Sequence, residues 1–98
     1  MPGFNIQKQI DQWKGGATEA LETADLLIEK NKISFGLFFC HLAIEKILKA
    51  HYIRCTEKLA PKTHDLEYLF QNTDLLLSLE QSKLLDFLML YQLEVKIP

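Results

Sequence analysis

SFGLFFCHLAIEKILKAHYIRCT, residues 34–56, decides the fold. Its first half, FGLFFCHLAI, is apolar nearly all round. A helix without a polar face must have protein on every side, so this segment is expected to be the central rod of a bundle. Its second half is two-faced, with Ile44, Ile47, Leu48 and Ile53 set against Glu45, Lys46, Lys49 and Arg54. Ser34 offers a hydroxyl to an orphan backbone N–H, which predicts a helix from about Phe35 to Thr56.

The flanking segments read as shorter companions. Upstream, Ile10, Trp13, Ala17, Ala20, Leu21, Ala24, Leu27 and Ile28 recur mostly every three or four residues, the spacing of one helix face. Lys14, Thr18, Glu22, Asp25 and Glu29 fall opposite, and Asn31 with Lys32 ends the element. Gly15 and Gly16 interrupt good helix formers at about 1 kcal/mol each, a cost that points to close approach of a neighbouring helix. Downstream, Pro61 blocks helix continuation in a Leu59–Lys62 linker. Thr63 is the expected cap of a short third helix over His64 to Gln71, with Asp65 and Glu67 at its positive end. Asn72 to Leu77 reads as a loop, and Ser78 with Gln81 as a capping box for a fourth helix carrying Leu84, Leu85, Leu88, Tyr91 and Val95 on one face. The prediction is an all-α, antiparallel, up-and-down four-helix bundle occupying residues 1–98 as one domain.

Composition narrows the function. The 98 residues are 48% hydrophobic and 24% charged, the balance of a folded domain, and four Gly with three Pro are too few for the turns of a β-sandwich. A net charge of −2 excludes a broad basic face for duplex DNA. No apolar run reaches the roughly 18–20 residues that cross a bilayer, and the polar start MPGFNIQKQIDQWK lacks the apolar region of a leader. A cytoplasmic protein with no membrane contact is expected. Cys40 and Cys55 form no CxxC pair and read as two reduced, half-buried thiols. His51 and Cys55 share a helix face, but two ligands do not make a zinc site, so no metal or other cofactor is expected. There is no Gly-rich phosphate loop.

Chemistry is left to a few side chains. Glu45 and Lys49 stand at i, i+4 in the favourable order, which by pattern is a solvated pair. Set into a buried helix, the same carboxylate needs a cation, and it would then orient a base or a substrate hydroxyl. His41 reads as a satisfied core histidine and His51 as a surface one. Trp13, Tyr52, Tyr68 and Tyr91 read as packing residues before stacking platforms, and Arg54 is the single arginine.

FFCHLAIEKILKA, residues 38–50, followed by KTHDLEYLF, residues 62–70, resembles the HEPN domain, a small helical domain shared by higher eukaryotes and prokaryotes with a nucleotide-binding role. The resemblance rests on Trp13 with Ala17, Ala20 and Ala24, on Ala43, Glu45, Lys46, Leu48, Lys49 and Ala50, and on Thr63, His64, Asp65 and Leu66. It extends over residues 10–98 and implies a helical bundle that dimerises. It further implies a partner of the minimal nucleotidyltransferase class, and nucleotide or RNA as ligand. Many relatives are metal-independent ribonucleases with an Arg-x4–6-His motif. Here YQLEVKIP places Lys96 where that arginine would stand, no His follows it within these 98 residues, and the family's final helix is expected to be missing. Loss of that helix is expected to expose apolar faces on the first and fourth helices. Arg54 has no His at the motif's spacing either, since His64 lies ten positions on. Lysine cannot reproduce the bidentate arginine fork, so no catalytic residue is assigned. The binding candidates are Glu45, Lys46, Lys49, His64, Asp65 and Lys96. The alternative is a ribonuclease toxin of a toxin–antitoxin pair whose motif is truncated or degenerate.

Overall fold

A computed structural model describes residues 4–90 and contains four helices in this span: α1 (Ile6–Glu29), α2 (Ile33–Thr56), α3 (Leu66–Gln71) and α4 (Leu79–Met89). There is no strand among the described residues. α2 is the shared element. It packs antiparallel along α1 and also touches α3 and α4, while α3 and α4 touch each other. α2 is thus the central rod, but Leu37, Phe38, Phe39, Leu42 and Ile44 in its apolar half are only half-buried, so protein does not cover this segment on every side among the described residues.

The α1–α2 hairpin is set by local backbone chemistry. Asn31 takes a left-handed φ of 63°, a conformation that asparagine tolerates better than most residues. Its N–H bonds the Ile28 carbonyl at 2.9 Å, and the Lys32 N–H bonds the Leu27 carbonyl at 2.8 Å. This pair of bonds is a Schellman motif, which satisfies the last carbonyls of α1 and reverses the chain. The reversal is so tight that α2 begins at Ile33 with Lys32 as its N-cap and no side-chain cap bond. Ser34 lies inside the helix, contrary to the expected cap. Ser78 caps α4 as predicted: it accepts from the Gln81 N–H while the Gln81 side chain accepts from the Ser78 N–H.

α1 meets α2 through small residues. Ala17, Ala20 and Ala24 are buried, whereas Leu21 and Ile28 on the expected apolar face stay 52% and 40% exposed. Of the two predicted close approaches, Gly16 is real and Gly15 is not. A Cβ on Gly16 would lie 3.1 Å from Lys46 Cδ, and one on Gly15 would meet nothing within 4 Å. The tightest approach is at Gly36, where a Cβ would sit 2.5 Å from Ile28 Cγ1 and 3.4 Å from the Ala24 carbonyl oxygen. On the opposite flank of α2, Leu48, Leu66, Leu69 and Leu88 form the main apolar cluster, with Tyr52 packed against it.

α1 and α4 do not close on each other. Ala17 and Leu21 of α1, Leu37 and Ile44 of α2, and Leu84 and Leu88 of α4 line an open apolar groove of about 490 Å³. Among the described residues, Leu21 of α1 and Leu84 of α4 are each 52% exposed. No helix among the described residues is long and apolar enough to cross a membrane. Tyr91, Val95, Lys96 and the question of a final helix lie outside the described residues.

Candidate functional site

Glu45 sits in the middle of α2 and is 4% exposed. A carboxylate this deep requires cationic or N–H partners, because water no longer solvates it. It has three. Lys49, one turn along α2, places Nζ 3.0 Å from Oε2. His64, in the linker before α3, donates from Nδ1 to Oε1 at 2.9 Å. His41, one turn back, holds Nε2 3.5 Å from Oε1 without hydrogen-bond geometry. Burial works against ionisation, but the interactions with His41, His64 and Lys49 outweigh it and hold the carboxyl down to about 2. Glu45 is charged at every physiological pH.

The cluster reaches in three directions. His41 Nδ1 lies 3.0 Å from the Leu88 carbonyl oxygen; a carbonyl only accepts, so Nδ1 carries the proton and ties α2 to the last turn of α4. Lys49 Nζ lies 5.0 Å from the Trp13 ring centre, and Lys46 Nζ lies 5.3 Å from the same ring. Both ammonium groups are within cation–π range of one indole on α1. The Met89 sulfur accepts the Leu66 N–H at 3.3 Å, closing the start of α3 beside His64.

The sequence-predicted residues divide accordingly. Glu45, Lys49 and His64 come together. Lys46 shares Trp13 with Lys49, and among the described residues no carboxylate pairs with it. Lys49 is a buried counter-charge to Glu45, 6% exposed. Asp65 stands apart as the N-cap of α3, accepting from the Tyr68 N–H at 3.1 Å. This corrects two expectations: Thr63 is not the cap, because its hydroxyl instead accepts the Asp65 N–H in the preceding turn, and α3 begins at Leu66 and not at His64. Lys96 is outside the described residues. Arg54 is committed to Asp74, with Nη2–Oδ1 at 2.7 Å and Nη1–Oδ2 at 3.3 Å, and donates to His51 Nδ1 as well. Cys55 is exposed, not half-buried, while burial, with Asp25 nearby, pushes the half-buried Cys40 thiol up.

Sequence reasoning overlooked His41 and Trp13 as members of the cluster. The signal was available: His41, Glu45 and Lys49 are spaced i, i+4, i+8 and must share a helix face.

One family, the HEPN domain, matches residues 10–98, a span that includes most of α1, all of α2, α3 and α4, and the Glu45 cluster. The chain belongs to the HEPN domain family. No curated protein and no solved structure matches it. Membership makes this HEPN domain a helical module of the nucleotide- and RNA-related kind.

Proposed function

We propose that this HEPN domain binds nucleotide or RNA phosphates without cleaving them, as a cytoplasmic homodimer paired with a minimal nucleotidyltransferase. One observation carries the reading: a buried carboxylate uses one oxygen to hold His64, whose side chain is 57% exposed, at the surface. Such an arrangement orients a ring toward solvent at considerable cost in desolvation. Lys46, whose Nζ lies over Trp13 on the α1 side, supplies an ammonium charge for a phosphate oxygen. Glu45 orients, Lys49 neutralises it, and Asp65 shapes the loop by capping α3.

Two observations support binding without cleavage. Arg54, the single arginine, is engaged by Asp74, and Lys96 replaces the family's motif arginine in sequence. The apolar groove between α1, α2 and α4 is the surface that a second copy would cover.

Titration of the purified domain with ATP, GTP and short RNA, read by thermal shift, tests the binding. A shift with any of them that weakens in Lys46→Gln and His64→Gln is the expected result. No shift with any ligand would leave docking on a protein partner as the function. Metal-independent RNA cleavage in EDTA would restore the ribonuclease reading. Sedimentation velocity tests the dimer.

A further inference from the structure

The three histidines hold their ring protons differently, and the difference is chemical. His51 Nδ1 accepts from Arg54 Nε at 3.3 Å and from Nη2 at 3.0 Å. Arginine only donates, so the neutral His51 ring carries its proton on Nε2 and its lone pair is occupied. His41 donates from Nδ1 to a carbonyl, but the residue is 2% exposed and its Nε2 is enclosed facing Glu45. His64 donates from Nδ1 to Glu45 at 2.9 Å, which leaves the lone pair on Nε2, and its side chain is 57% exposed. Of the three, His64 alone combines a bare ring nitrogen with access to solvent.

A carboxylate fixing one imidazole nitrogen so that the other is basic is the arrangement that activates histidine as a nucleophile or proton acceptor. We propose that His64 Nε2 is a phosphoryl-acceptor site, taking the group from small donors of the phosphoramidate or acyl phosphate class. With phosphoramidate, the Nε2 lone pair forms the N–P bond while the donor's P–N bond breaks, and ammonia leaves with the bonding electrons. No electron is gained or lost overall. The ring keeps its Nδ1 proton and gains one positive charge. Glu45 Oε1 already accepts that proton and faces the new charge, while Lys49 holds Oε2 and the phosphoryl oxygens carry the remaining negative charge.

This site does not depend on the nucleotide-binding reading, because phosphoramidate reacts without a binding partner. The test is incubation of the full chain with phosphoramidate at fixed neutral pH. Phosphorus NMR and mass spectrometry under non-acidic conditions then locate the label. Phosphohistidine at His64, bonded through Nε2 and absent from His64→Gln, is expected. Glu45→Gln keeps an acceptor for Nδ1 but loses its charge, and labelling should slow about tenfold, the difference between a charge-assisted and a neutral hydrogen bond. Should that variant unfold, nitrogen shifts of the wild-type His64 ring decide the same point, since they report which nitrogen is bare. Label spread equally over His51 and His64, attachment through Nδ1, or a bare Nδ1 in the nitrogen spectrum would each overturn the proposal.

Discussion

Glu45→Gln is the substitution that puts most of the site's physics at risk. In the folded chain the carboxyl lies at about 2, against an ordinary value of 4.5. The unfolded chain therefore binds more protons between those values, and stability rises with pH across that window. At about 1.4 kcal/mol per unit, the ionised form contributes about 3 kcal/mol, fully present above pH 4.5 and lost as pH falls toward 2. Glutamine removes that contribution at neutral pH and leaves the Lys49 ammonium, 6% exposed, without a counter-charge. Breaking a buried pair on one side costs about 3–5 kcal/mol, and Trp13 returns about 1 kcal/mol of it. A net loss of about 3 kcal/mol corresponds to a fall in Tm of roughly 12–24 °C for a domain of this size. Urea denaturation followed by circular dichroism measures it, as a lower midpoint at unchanged slope. The double variant Glu45→Gln/Lys49→Met removes both charges and should recover more than half of the loss. A Glu45→Gln loss below about 1 kcal/mol, or an acid limb equal to wild type, would show that the cluster is not a buried ionic centre.

The glycines separate by what surrounds them. Gly15→Ala should stabilise by about 1 kcal/mol, since its Cβ meets nothing, whereas Gly36→Ala should destabilise by about 1–3 kcal/mol through the clash with Ile28; chemical denaturation of both gives the signs. Leu69→Ala, at a fully buried position in the apolar cluster, should cost about 2–5 kcal/mol and leave His64 labelling by phosphoramidate unchanged if any folded protein remains. Ser78→Ala should cost about 1 kcal/mol by opening the capping box, read as faster amide exchange in the first turn of α4.

Helix identity and order were legible because the apolar spacing of α1 and the all-round apolar half of α2 admit few other readings. Helix starts were less so. Ser34 and Thr63 are good cap residues by type, but the Schellman reversal at Asn31 brings α2 in at Ile33 before Ser34 can act, and Asp65 outcompetes Thr63 two positions on. Half of the site was visible as well. A carboxylate in an apolar helix demanded a cation, and the spacing supplied Lys49. What sequence alone did not reveal was a tertiary fact: the linker after Pro61 folds back to place His64 on Glu45, across 19 residues. Asp65 and His64, neighbours in sequence, consequently do unrelated work.

α1 meets α2 but neither α3 nor α4 among the described residues. Two sides of one rod thus answer to separate demands. Changes along the alanine seam with α1 can accumulate without disturbing the leucine cluster, and the reverse holds too. Glu45 is the exception, because through Lys49 and Trp13 it feels the first side and through His64 and His41 the second. A lineage that remodels either flank must therefore renegotiate this one carboxylate, which makes it the position where drift on the two flanks becomes correlated.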